Sequence, residues 1–298
     1  MNAMKISELF DSKKAVWSFE IFPPKPTAEI GGVERIVREL AELAPDYISV
    51  TCSAGGSGNS RTPEIAGIVK RAGVEPLAHL TCINSVRAEV DGALDKLAAE
   101  GVDNVLALRG DRIAGASDSP DFRHAVDLVR HIRARGEGVD IAGACYPECH
   151  PESETPEDDI RYLKEKVDAG VSHLNTQLFF DNEAYFAFLE RLRAAGVSVP
   201  VQAGIMPLVK KSHVDRMIGL SGANIPARLS RIIARFYDDP ASLMEAGIAY
   251  ATEQIMDLLS AGADGIHLYV MNNVYVARKI TENVRDVLDF VNGDADRR

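Results

Sequence analysis

The chain has 298 residues and a formal net charge of −11, with 33 Lys and Arg against 44 Asp and Glu. That balance argues against nonspecific nucleic-acid binding, in which Lys and Arg neutralise phosphates, and no apolar run approaches the roughly 18 residues of a membrane helix. Four cysteines (Cys52, Cys82, Cys145 and Cys149) are too few for a disulfide framework, and Met1 to Ser12 carries no secretory signal, so a cytoplasmic location is expected.

Short apolar runs alternate with amphipathic stretches. A first strand is predicted at Val16–Phe22. Ile30, Val33, Ile36, Val37, Leu40 and Leu43 then recur at the spacing that places them on one helix face. Strand Tyr47–Cys52 runs into Ser53–Ser60, whose Gly55, Gly56 and Gly58 lack dinucleotide-binding spacing and read as a loop over a barrel mouth. Thr62-Pro63-Glu64 reads as an N-cap, a proline at the first helical position and an acid at the positive helix end; Thr155-Pro156-Glu157 repeats the pattern. Strands follow at Pro76–Cys82, Asn104–Leu108, Asp140–Cys145, His173–Phe179, Val199–Gly204 and Gly265–Val270. Gly73, Gly101, Gly170, Gly196 and Gly262 each sit between a helical pattern and the next strand, where a left-handed C′ residue is needed. Leu208 to Ser260 is too long for one crossover helix and is expected to hold two or three.

Eight strand–helix units favour a closed sheet over an open doubly wound one. The expected fold class is α/β, a (β/α)8 TIM barrel with extra helices between strands 7 and 8, forming one catalytic domain over residues 1–298. Such a barrel carries its site at the C-terminal strand ends. Those ends supply Glu20, Thr51, His79 and Thr81, Arg109-Gly110-Asp111, Tyr146 with His150, Gln177 and Tyr269.

Trp17-Ser18-Phe19-Glu20-Ile21-Phe22-Pro23-Pro24-Lys25, Ser49-Val50-Thr51, His79-Leu80-Thr81-Cys82, Leu108-Arg109-Gly110-Asp111, Tyr146-Pro147-Glu148-Cys149-His150-Pro151-Glu152 and Thr176-Gln177-Leu178-Phe179-Phe180-Asp181 resemble, in order, the motifs of the methylenetetrahydrofolate reductase family. The resemblance runs from about Lys5 to the last helix. It implies a flavoenzyme that reduces 5,10-methylenetetrahydrofolate to 5-methyltetrahydrofolate with NADH or NADPH by a ping-pong mechanism, as a homo-oligomer.

Glu20 falls on the family's catalytic acid. Set among Phe19, Phe22, Pro23 and Pro24, its carboxyl is expected to be desolvated toward the neutral, proton-donating form; a salt-bridged acid is the alternative. Asp111, after the close-approach residue Gly110, would stabilise an iminium cation, or else cap a helix. The resemblance puts Thr51, His79, Tyr146 and His150 against the flavin, with Arg109 and Gly110 in the same set and Lys166 and Asp159 on further cofactor positions. It puts Gln177, with its donor and acceptor, on the pterin edge, and Tyr269 among substrate contacts; a buried core glutamine is the alternative for Gln177. Arg161, Lys164 and Lys166 together would favour the cofactor phosphates.

The sequence also departs from the family pattern. Tyr162 and Glu165 stand where asparagine and arginine are common, so FAD is implied with FMN left open. Ile233 aligns with the aromatic nicotinamide platform, with Phe236 one turn later as a substitute. Asn272-Asn273 stands where Asn-Arg is typical. Cys145-x-x-x-Cys149-His150 keeps open a metal-dependent hydrolase or lyase, although the spacing is no familiar zinc motif. The altered nicotinamide platform keeps open a folate-binding partner subunit without NAD(P)H oxidation.

Overall fold

Strand residues alternate between two apolar environments, and this alternation builds the sheet. The computed structural model describes residues 4–24, 29–52, 61–112, 118–214 and 224–293; Lys25 and the Ser53–Ser60 segment lie outside them. The strands are β1 (Val16–Ile21), β2 (Tyr47–Val50), β3 (Glu75–Thr81), β4 (Asn104–Leu108), β5 (Asp140–Cys145), β6 (His173–Thr176), β7 (Val201–Ile205) and β8 (Gly265–Tyr269). Each lies parallel to the next, and β8 returns to β1, closing the barrel. Along β1 and β2, Trp17, Phe19, Ile21, Ile48 and Val50 belong to the large apolar belt shared with the helices, whereas the intervening Val16 and Tyr47 pack with Leu77, Leu106 and Ala142 in a separate inner cluster. That is the period of two expected of a sheet covered on both sides.

Helices among the described residues are α1 (Ser7–Ser12), α2 (Gly31–Ala41), α3 (Thr62–Arg71), α4 (Arg87–Ala99), α5 (Ala125–Arg135), α6 (Pro156–Asp168), α7 (Asn182–Ala194), α8 (Ala227–Phe236), α9 (Pro240–Ser260) and α10 (Val274–Val291). The expected extra helices between the last two strands are thus present as α8 and α9. All five expected helix-closing glycines have positive φ, from +71° to +121°. Thr155 caps α6 as read, accepting from Asp158 N. Thr62 does not cap α3: it lies inside the helix, and its hydroxyl donates to Thr51 O at 2.8 Å, tying α3 to the end of β2.

Five strands end earlier than their apolar runs, β2 and β6 by two residues or more. Thr51 and Gln177 lie past β2 and β6 yet each still makes a sheet-like bond, to Ile21 O (3.0 Å) and Cys145 O (2.7 Å). Their side chains thereby reach the rim on a backbone still held by the barrel. The opposite end is sealed. Asn104 Oδ1 and Asp140 Oδ2 accept from the N–H groups of Ile6 and Ser7 at the start of α1, and Ile6 and Leu9 pack into the inner cluster. Side chains from the bottoms of β4 and β5 so satisfy donors that α1 cannot satisfy itself. Access to the barrel interior is left to the C-terminal rim.

The β1–β8 seam leaves no room for a side chain at Gly265, where a Cβ would lie 2.5 Å from Val16 O and 2.9 Å from Val16 N. Gly265→Ala should therefore destabilise the fold by about 2–3 kcal/mol, read as a lower urea midpoint; an unchanged midpoint would show that the seam relaxes without loss.

Candidate active site

A cavity of about 450 Å³ opens at the C-terminal rim, within the usual range for small-molecule sites. Twelve of the residues singled out from the sequence line it: Glu20, Thr51, His79, Thr81, the Arg109-Gly110-Asp111 run, Tyr146, His150, Lys166, Gln177 and Tyr269. Asp159, Ile233 and Phe236 do not.

Glu20 is buried, and its Oε2 lies 3.4 Å from His79 Nε2 and 3.5 Å from His267 Nε2. The two imidazoles are held in turn by Ser49 Oγ and Ser18 Oγ, each at 2.7 Å. This corrects the expectation of an apolar pocket for the acid: Phe22 is exposed at the end of β1, and polar side chains surround the carboxyl. Burial pushes the Glu20 carboxyl up, but hydrogen bonds and positive charge from His267 and His79 outweigh it, bringing it from 4.5 down to about 2. His267 was absent from the sequence expectations, which considered only strand ends. The signal was there in alternation: His267 and Tyr269 share one face of β8, and the register sets them beside Ser18 and Glu20.

Asp111 lies on the exposed side of the cavity, past β4, and caps no helix among the described residues: α5 begins after His124. Gly110 has φ +83°, and a Cβ there would meet Thr81 Cβ at 2.9 Å. The close approach that requires glycine is therefore to the β3 side chain, which lets Asp111 turn onto the rim. Arg109 is held by both carboxylate oxygens of Glu152, one at 2.8 Å. This charge-assisted fork ties the β5–α6 loop to β4.

The cationic cluster expected on α6 does not form. Arg161 pairs with Asp158 and Lys164 with Asp168, both on the helix surface. Lys166 alone turns to the cavity, donating to Ala144 O at 2.6 Å, and burial lowers its ammonium from the ordinary lysine value. Asp159 shapes the loop by accepting from His150 N and Ser153 Oγ. His150 packs edge-on against Tyr146 at 4.6 Å, with its Nδ1 accepting from Glu152 N. Burial lowers the His150 imidazole and raises the Tyr146 phenol. Gln177 is partly exposed; its Oε1 accepts from Leu178 N at 2.9 Å, and its side chain also hydrogen-bonds the Tyr146 phenol.

Ile233 is buried in a small apolar cluster with Leu178, Phe180, Met206, Leu208, Val214 and Leu229, against which Tyr269 packs. It does not line the cavity. Phe236 is half-buried at the C-terminal end of α8 and also misses the cavity. The alignment predicted a wall position; the inward-turned face of α8 made it packing. Asn273 caps α10, and Asn272 exchanges hydrogen bonds with Phe22 N and O, pinning the end of β1. The four cysteines are free, and burial raises the Cys82 and Cys145 thiols. No group of three His, Cys, Asp or Glu suited to a metal occurs among the described residues.

A family model described as methylenetetrahydrofolate reductase matches residues 5–285. The chain belongs to the methylenetetrahydrofolate reductase family. Among curated relatives of this family, the 5,10-methylenetetrahydrofolate reductase of Escherichia coli (strain K12) is 32% identical over 264 residues, covering 88% of each chain. Methylenetetrahydrofolate reductase (NADH) 1 of Arabidopsis thaliana is 35% identical over 283 residues, 90% of this chain and 48% of the plant protein. The chain thus spans about half the length of the plant and yeast relatives it matches. Among solved structures, a Clostridium thermocellum protein described as binding two copies of 5-methyl-5,6,7,8-tetrahydrofolic acid superposes with a TM-score of 0.66 at 15% identity, covering 96% of this chain and all of that one. That likeness shows the fold alone. No helix among the described residues is long and apolar enough to cross a membrane.

Two outcomes follow from these placements. Ile233→Phe should overpack the α8 cluster and lower stability by about 1–3 kcal/mol, visible as a reduced melting temperature; an unchanged one would mean that the cluster has room. Glu20 is depressed in the fold, so the stability it contributes is present above its ordinary value of 4.5 and is lost as pH falls toward 2. The stability difference between wild type and Glu20→Gln should therefore shrink over that interval in urea titrations. A constant difference would remove the imidazole-bound carboxylate.

Proposed function

We propose that this chain is an enzyme of the cytoplasm that reduces 5,10-methylenetetrahydrofolate to 5-methyltetrahydrofolate with NADH or NADPH, both substrates using one flavin-bearing cavity in turn. The observation that carries the reading is one cavity faced by a buried carboxyl held by two imidazoles (Glu20, His79, His267) and by the exposed carboxylate of Asp111. A homo-oligomer is the proposed assembly.

The cavity residues fit a flavin. Thr51 Oγ1 and Asn175 Oδ1 are buried without a protein partner, and Lys166 lines the cavity with its ammonium lowered by burial. A polar-edged ring and a phosphate would satisfy those groups. FAD is the proposed form, with Lys166 holding phosphate; because Arg161 and Lys164 are engaged elsewhere, FMN competes as the natural ligand. When bound, a flavin supplies two-electron hydride chemistry between nicotinamide and folate.

The residues of the chain supply the rest. Glu20 delivers a proton to the folate nitrogen that departs as the methylene bridge opens to an iminium ion. Its carboxyl is held below its ordinary value in the ligand-free protein, so it must take up a proton before delivering one, with His79 and His267 as its side-chain neighbours. A substrate seated over Glu20 excludes water, raises the carboxyl and favours that transfer. Asp111 offsets the positive charge of the iminium ion, and the NH2 of Gln177 donates to the pterin edge. A second reading, a folate-binding subunit that does not oxidise NAD(P)H, draws on the position of Ile233 outside the cavity.

Purified protein should be yellow, and anaerobic stopped-flow mixing with NADH or NADPH should bleach the flavin band. Bound flavin that neither donor reduces would favour the folate-binding subunit, while protein that takes up neither FAD nor FMN would end the flavoenzyme reading. Glu20→Gln should keep flavin reduction and lose folate reduction by roughly 10²- to 10⁴-fold. Equal loss in both half-reactions would strip Glu20 of its role as acid.

A further inference from the structure

Beneath the cavity, buried side chains without a role so far lead to Asn175. Gln202 on β7 is fully buried, with its Nε2 3.1 Å from Val16 O, 2.8 Å from Ile266 O and 2.8 Å from Ser18 Oγ. Two backbone carbonyls converging on one amide atom require that atom to be nitrogen. Gln202 Oε1 consequently faces Tyr47, whose hydroxyl donates to it at 2.6 Å. A phenol has one proton. With that proton committed, Tyr47 Oη accepts from Asn175, so the Asn175 atom 2.9 Å away is Nδ2. Asn175 Oδ1 is thereby turned away from Tyr47. The residue is 3% exposed and lines the cavity, and its Oδ1 is buried with no protein partner.

We propose that Asn175 determines specificity for the ring bound in this cavity: its Oδ1 accepts a hydrogen bond from a ring N–H, and the backbone carbonyls of β1 and β8, acting through Gln202 and Tyr47, keep the amide from turning to offer N–H instead. The inference rests on the flavin reading and sharpens it. An oxidised isoalloxazine has one ring N–H, at N3; reduction adds hydrogen at N5, and at N1 in the neutral form. A ring presenting only acceptors toward Asn175 would leave two oxygens or nitrogens facing each other without a proton, which is unfavourable out of water. The same chain runs on from Gln202 through Ser18 to His267 and Glu20. Ring recognition and the acid share one buried network.

The test uses flavin-stripped wild type, Asn175→Leu and Tyr47→Phe, with circular dichroism and thermal melting to establish folding. Each is titrated with FAD, oxidised and then photoreduced without oxygen, and binding is read from flavin absorbance and fluorescence. Asn175→Leu should bind at least one redox form about three- to tenfold more weakly. Equal weakening of both forms assigns the bond to N3–H; weakening confined to reduced FAD, with a lowered midpoint potential, assigns it to an N–H that reduction creates. Asn175→Leu that binds both forms as tightly as wild type overturns the inference and leaves the flavin reading intact. Wild type that binds neither form overturns both. Should Asn175→Leu fail to fold, Tyr47→Phe decides: weaker binding of either form, from an amide now free to turn, supports the proposal, and unchanged binding of both overturns it.

Discussion

Parallel pairing of β8 with β1 sets Ser18 beside His267 and Glu20 beside Tyr269, and the arrangement of the site depends on that seam. Closing the sheet brings the first strand and the last into contact although they lie about 250 positions apart in sequence. It buries a carboxylate where desolvation alone would neutralise it. The imidazoles of His267, from across the seam, and His79, from β3, keep Glu20 ionised instead. The carboxyl of Glu20 is thus held below its ordinary value by two imidazoles that only barrel closure brings to it.

The barrel divides its interior by chemistry along its axis. At the bottom, Val16, Tyr47, Leu77, Leu106 and Ala142 close on Ile6 and Leu9, while Asn104 and Asp140 satisfy the start of α1. Above this floor the inward side chains are polar, and nearly all are paired: Gln202, Tyr47, Ser18, Ser49, His79 and His267 form hydrogen bonds with one another or with strand backbone. Buried polar groups are tolerable only when satisfied, so the two orphan atoms on cavity-lining residues, Thr51 Oγ1 and Asn175 Oδ1, stand out against that background. Ordered polar walls also hold the cavity-lining groups in place before any ligand arrives, the kind of preorganisation on which electrostatic stabilisation depends.

Much of the fold was legible in the sequence because barrel strands are short, apolar and separated by helices with local stop signals. Gly73, Gly101, Gly170, Gly196 and Gly262 could be read one at a time, since a left-handed helix end is a local demand. The rim residues were legible for a related reason: a strand end is local, and the architecture sends all eight to one face. The structure departs from expectation where a specific partner, near or far in sequence, claimed the group in question. Thr62 looked like a cap until Thr51 O claimed its hydroxyl. Arg161 and Lys164 looked available to phosphate until Asp158 and Asp168 on the same helix took them. Ile233 looked like a wall residue until the packing of α8 turned it inward.

From the sequence alone came the number and order of strands, the helices inserted before the last of them, the family, and which residues carry ionisable groups to the rim. Each follows from periodicity, from turn chemistry or from motifs contained in a few consecutive residues. The tertiary structure decided the ionisation of Glu20, the partner of Arg109, the atom that Asn175 turns from Tyr47 and the exclusion of Ile233 from the cavity. Those depend on desolvation and on contacts between strands remote in the chain, and neither exists until the barrel has closed.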